Sequence, residues 1–414
     1  MLGATGSGKS TLLANMILDD ATAGRGLVVI DPKGDLVNDL LARLPAGTAE
    51  RVVVLDPQDT APPPCLNILD GDDPDLATDQ LVGIFRRIWV DAWGPRTDDL
   101  LRAACLTLLT RRTAPGKGPG QGPAVGSVPT LLDIVSLLTD PTFRRRTTAG
   151  ITDPVLAGFW TWYTDLSDGA RSQATGPILN KLRALLLRRF VRQALAAGPS
   201  AINLTDVLDR GGILLVRIPK GQIGEDACQI LGSIVLAKVW QTVLQRARRA
   251  PERRPDAACY LDECQNFLTL PGAVEDMLAE ARGYRLSLTL AHQHLRQLPG
   301  ELADALSTNA RTKIFFACSP TDAAGLARHV SPVLTDHDLA RLPAYTAALR
   351  LIVDSADTTA FTVRTRPLPA AVPGRAQTLR AAARRHTAPT AGSGTAPSGD
   401  PRTRPAPPAS EGHR

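Results

Sequence analysis

The chain opens Met1-Leu2 and then reads Gly3-Ala4-Thr5-Gly6-Ser7-Gly8-Lys9-Ser10. That run restricts what the rest can be. Its glycines let the backbone curl so that successive N–H groups converge on an anion, Lys9 adds a mobile cation, and the Ser10 hydroxyl is a magnesium ligand. Thr11 to Asp19 carries apolar residues at helical spacing, which places the loop at a helix N-terminus facing phosphates. Residues 3–11 are therefore the expected cradle of a nucleotide. A loop of this kind follows a buried apolar strand. Only Met1 and Leu2 stand there, so the expectation is that the N-terminal part, including this strand, is missing.

The next segments say what kind of sheet holds the loop. Leu27–Asp31 and Arg51–Asp56 are short and apolar throughout, with a helix, Leu36–Leu44, between them. Similar runs return at Ile213–Ile218, Ala257–Leu261, Leu286–Ala291 and Lys313–Cys318, and Ala347–Val353 with Thr359–Val363 reads as a closing hairpin. Strands without polar alternation, separated by helices, predict a parallel sheet covered on both faces. From about Asp72 to Asp209 the spacing is helical instead, at Leu76–Trp93, Asp98–Thr110, Thr130–Leu138, Pro154–Leu166 and Ile178–Ala197, broken by a Gly/Pro loop over Pro115–Pro129. A long helix is expected over Ala227–Arg249. Beyond Pro367 large apolar groups are too few to fold. The division is an α/β domain in two parts, 1–71 and 210–365, an all-helical insertion over 72–209, and a disordered tail over 366–414.

The net charge of +6 lies in that tail: from Arg366 onward there are eight arginines against Asp400 and Glu411, and the body is neutral. Affinity for nucleic acid would have to come from local patches, because Arg86-Arg87, Arg144-Arg145-Arg146 and Arg188-Arg189 read first as solvated helix faces. The six cysteines lack metal-ligand spacing and read as reduced core residues, and His292 and His294 read as structural. No apolar run approaches a bilayer span and no signal peptide opens the chain, so the product as given is expected in the cytoplasm.

Chemistry needs a second element besides the loop. Ala257–Leu261 ends in Asp262-Glu263. Asp262 can hold the magnesium shell and Glu263 can polarise water for in-line attack on a γ-phosphate. Leu286–Ala291 ends in His292-Gln293, and an amide at a strand tip can donate to phosphate and accept from water, which makes Gln293 a sensor candidate. Asp31-Pro32-Lys33-Gly34-Asp35, at the end of its strand, reads as a turn and helix cap.

Together the loop, Val29–Leu36, Leu261–Phe267 and Glu280–Leu286 through Gln293 resemble the HerA/FtsK superfamily of hexameric DNA pumps, and within it the TraG/TraD-type coupling proteins of conjugation and type IV secretion. The resemblance runs from residue 1 to about 365. It implies a RecA-like P-loop NTPase sheet, ATP and Mg²⁺ as cofactors, a homohexamer, and sequence-independent transport of DNA or a DNA–relaxase complex to a secretion channel. It also implies that Arg282 reaches across a subunit boundary to the neighbour's γ-phosphate, a role suited to a permanently charged, forked cation. The family carries an N-terminal membrane anchor, expected to belong to the missing N-terminal part, and Gly283 stands where many relatives carry lysine. The rival readings are a HerA- or FtsK-type helicase-translocase and a truncated, non-motor DNA- or partner-binding remnant.

Overall fold

The computed structural model describes residues 1–113, 128–268, 273–298 and 300–387. Five parallel strands form its centre: β1 (Gly26–Asp31), β2 (Val52–Leu55), β3 (Ile213–Arg217), β4 (Ala257–Leu261) and β5 (Leu286–Leu290), in the order β2-β3-β1-β4-β5. β1, β3 and β4 are buried along their whole length, which explains their uniformly apolar sequences. Alternate residues of β1 serve the two faces. Leu27 and Val29 pack with Leu13 and Ile17 of α1 (Lys9–Thr22) and Leu36 and Leu40 of α2 (Asp35–Arg43). Val28 and Ile30 join Ile230, Ile234 and Val235 of the helix Glu225–Leu244 on the opposite face.

That last helix corrects one expectation. With its continuation to Arg248 it is long and apolar enough to span a bilayer by length and composition, yet it is packed inside the core. Its apolar residues face strands and helices on nearly all sides, as in a central core helix.

A second, three-stranded antiparallel sheet joins β6 (Lys313–Phe315), β7 (Thr346–Arg350) and the strand Phe361–Arg364, with β7 in the middle. The expected closing hairpin is present, extended by a small pair, Ile352–Val353 with Ala356–Asp357. The two sheets meet at Met1 and Leu2. The Met1 ammonium donates to Leu290 O (2.8 Å), His292 N–H to Met1 O (3.1 Å), Leu2 N–H to Ile314 O (2.9 Å) and Phe316 N–H to Leu2 O (2.8 Å). Leu2 thus bridges in parallel to both sides. Met1, Leu2 and Ala4, which donates to Ala317 O, together tether the entry to the loop. Behind Met1 the interval between β5 and β6 is a cavity of about 380 Å³, lined by Leu288, Leu290, Ile314 and Phe315 among others.

Between β2 and β3 all regular structure among the described residues is helical, from Pro74–Ile88 to Leu204–Asp209. Most of the expected Gly/Pro loop, 115–127, lies outside the described residues. Where a helix Ile178–Ala197 was expected there are two, Asp168–Leu186 and Arg189–Ala196. Ser167 caps the first through Ala170 N–H, and Pro177 is accommodated inside it. The arginine triplet splits as well: Arg145 and Arg146 are exposed, but Arg144 is buried over the ring of Tyr163. All six cysteines are buried and free. Expecting an unfolded tail from residue 366 fails over Arg375–Thr387, a helix that buries Leu379, Ala382 and Ala383 and pairs Arg380 with the buried Asp56 at 2.6 Å. Alanines sufficed because the facing surface is apolar and an ion pair anchors the helix. Residues 388–414 lie outside the described residues.

Candidate functional site

The phosphate loop curls through Gly6 (φ 77°) and Gly8 (φ 111°), left-handed values that favour glycine, and Gly8 caps α1. Its outer side is held by the second sheet. Tyr345 N–H donates to Ser7 O (2.9 Å), and a Cβ on Gly8 would fall 2.9 Å from Tyr345 Cα, while one on Gly3 would fall 2.5 Å from Phe316 Cβ. Neither position has room for a side chain. Lys9 is buried and turned onto the loop's own carbonyls, Gly3 O and Ala4 O. Burial lowers its pKa, while Glu263 and Asp262 work in the opposite direction. Ser10 is exposed and Thr11 half-buried in the first turn of α1.

The neighbouring strand ends bring the other groups in. β1 and β4 run in register, Ile30 beside Leu261, and Asp262 N–H donates to Ile30 O (3.1 Å). Asp262 is buried and accepts the Glu263 N–H (3.1 Å). Burial, with Asp31 and Glu263 close by, pushes its pKa up to about 6. A buried carboxylate oxygen at a strand end is a hard donor of the kind that suits Mg²⁺.

Glu263 is the most constrained residue here. Its backbone is left-handed (φ 48°, ψ 51°) and its side chain is 6% exposed. One carboxylate oxygen, Oε1, accepts from Lys33 Nζ at 2.6 Å and Gln293 Nε2 at 2.5 Å, and Oε2 accepts from Gln265 Nε2 at 2.9 Å. Burial works to raise its pKa, and the hydrogen bonds from Lys33, Gln265 and Gln293 outweigh it, holding the group below its ordinary value. Thr5 Oγ1 donates to Gln293 Oε1 (3.1 Å), so a chain of contacts runs from the loop tip through Gln293 and Glu263 to Lys33.

Lys9, Asp262, Glu263, Gln293 and Thr5 are thus gathered at one edge of the sheet, the carboxyl ends of its strands, where α/β sheets bind ligands. Arg282 is not. It is exposed in the turn between the helix Ala273–Glu280 and β5, and lines a cavity of about 1070 Å³ with Asp19, Asp256 and Arg285. β5 separates that turn from Gln293 by its full length, about 13 Å. Two residues near the site were missed in the sequence. From sequence Lys33 reads only as part of a turn, although a lysine just past a buried strand end beside an acidic one is a usable signal. Tyr345 has no local signal, because only the fold brings it to the loop.

This fold and site define a P-loop NTPase domain. Residues 256–343 match the family model described as the TraM recognition site of TraD and TraG. No curated protein is significantly similar in sequence. Among solved structures the chain is similar to the plasmid coupling protein TrwB in complex with the non-hydrolysable GTP analogue GDPNP (17% identity, 88% of this chain and 84% of that one, TM-score 0.63). It is also similar to TrwB in complex with ADP and Mg²⁺ (17%, 89% and 85%, 0.61) and to VirB4 of Thermoanaerobacter pseudethanolicus (15%, 91% and 90%, 0.60). The likeness to the TraG/TraD-type coupling proteins implied by the motifs is borne out, and with it the P-loop NTPase fold.

Proposed function

We propose that this chain is the motor part of a conjugation coupling protein, an ATPase that moves DNA or a DNA–relaxase complex toward a type IV secretion channel as a homohexamer. The observation that carries the reading is the convergence of Lys9, Asp262, Glu263 and Gln293 beside the phosphate loop. The match of residues 256–343 and the likeness to nucleotide-bound TrwB support it.

In this reading the N–H groups of residues 3–11 cradle the phosphates and Lys9 leaves its own loop carbonyls to meet them. Ser10 and Asp262 hold the metal. Bound Mg·ATP supplies the phosphoryl group and the cation that offsets its charge. Glu263 orients the attacking water and takes its proton, while Gln293, hydrogen-bonded to both Glu263 and Thr5, connects the base to the loop. Arg282, remote from its own loop, acts on the next subunit's nucleotide. Transport without sequence preference needs phosphate contacts rather than base contacts.

The test is ATP turnover with and without single-stranded DNA, in wild type and Glu263→Gln. The variant should keep Mg·ATP binding and lose turnover by roughly 100-fold or more. Turnover near the wild-type rate in that variant overturns the assignment.

A further inference from the structure

We propose that Lys33 is a positioning residue for Glu263, setting the direction of the carboxylate that activates water. The inference rests on the ATPase reading above and adds a residue to it.

Three donors meet the Glu263 carboxylate, and they are not equivalent. Gln265 is two residues along in the same turn and moves with it. Gln293 is shared, its amide oxygen accepting from Thr5 while its nitrogen donates to Glu263, so it is free to respond when phosphate enters the loop. Lys33 alone comes from a turn with an independent anchor. The Asp31 carboxylate accepts from the N–H groups of Lys33 (2.9 Å), Gly34 (2.7 Å) and Val37 (3.0 Å), tying the turn to the buried end of β1. The Lys33 stem therefore rises from a fixed point next to β4, and its ammonium meets Oε1 at 2.6 Å.

Glu263 needs such an anchor. A glutamate with left-handed backbone sits in a sparsely populated region, which persists only where surroundings over-determine it. All three contacts are charge-assisted by the carboxylate, but only Lys33 brings a full positive charge of its own, so it contributes more to holding the carboxylate than either glutamine. It holds Oε1 and leaves Oε2, with a single amide contact, for a water. The pair is asymmetric in exposure, 46% for the lysine side chain and 6% for the glutamate. That asymmetry separates it from an ordinary surface ion pair, whose two members are both solvated.

The test uses the full chain with Lys33→Met and Lys33→Arg. The expected result is a fall in kcat of roughly 10-fold or more for Lys33→Met, with KM for Mg·ATP within about 3-fold and recovery of part of the loss in Lys33→Arg. A kcat for Lys33→Met at or above half the wild-type value overturns the proposal. So does a loss of kcat matched by loss of nucleotide binding, or a Lys33→Arg chain no better than Lys33→Met. If wild type shows no turnover above Glu263→Gln, the ATPase reading fails instead, and the pair is then judged by thermal melting. Lys33→Met should lower the melting temperature in the wild-type background and leave it unchanged in Glu263→Gln. Equal effects in both backgrounds would show that Lys33 does not hold Glu263.

Discussion

Replacing Asp262 by asparagine should stabilise the metal-free chain at neutral pH while removing its capacity to hold magnesium. The folded-state pKa is raised from 3.8 to about 6, by burial and then by Asp31 and Glu263. At pH 7 both folded and unfolded forms are ionised, so the folded chain carries the full penalty. At about 1.4 kcal/mol per pH unit this amounts to about 3 kcal/mol. As pH falls through 6 the folded state takes up a proton before the unfolded one, and wild type recovers stability until the unfolded pKa of 3.8 is passed. The advantage of Asp262→Asn should therefore be greatest at pH 7 and shrink to about 1 kcal/mol near pH 4.5. Urea unfolding followed by circular dichroism, in excess chelator at both pH values, measures it as a difference in midpoint at constant slope. Isothermal titration with Mg·ATP should show the matching loss of binding. An Asp262→Asn chain less stable than wild type at pH 7 without metal would refute the reasoning, since it would mean that contacts within the folded chain favour the carboxylate over the neutral amide.

Other outcomes follow from the same geometry. Arg246 is 1% exposed and donates to Asp209 and to the carbonyls of Leu208 and Tyr284, so Arg246→Met should cost roughly 3–5 kcal/mol in urea unfolding; a loss below about 1 kcal/mol would show that the site relaxes. Arg282→Ala and Lys9→Ala chains should each lack ATP turnover, and mixed assemblies should regain part of it; absence of recovery in demonstrably mixed rings argues against action in trans. Burial lowers the pKa of the Met1 ammonium to about 6. Adding about four apolar, β-branched residues ahead of Met1 would continue the ladder into the cavity between β5 and β6 and convert that charge into a peptide bond. A rise in melting temperature of about 2–4 °C for each kcal/mol gained is expected, against no rise for a Gly/Ser extension of equal length.

Much of this molecule was legible in the sequence, and for a physical reason. Strands buried on both faces must be apolar throughout, so β1, β3 and β4 stood out; the loop at Gly3–Ser10 and the carboxylates after β4 are chemistry written in adjacent residues. Contacts between distant segments were not legible. Lys33 reaches Glu263 only because β1 and β4 are neighbours in register, Tyr345 meets Gly8 only because the second sheet packs beside the loop, and Arg375–Thr387 folds because an apolar surface and Asp56 await it. The sequence by itself determined the type of sheet, the glycine-rich loop ahead of α1 and the acidic pair that follows β4, since each depends on local pattern. The tertiary structure alone decided which cation holds Glu263, and at which end of the sheet Arg282 stands. Strand order, unlike strand existence, is set by packing across the whole core.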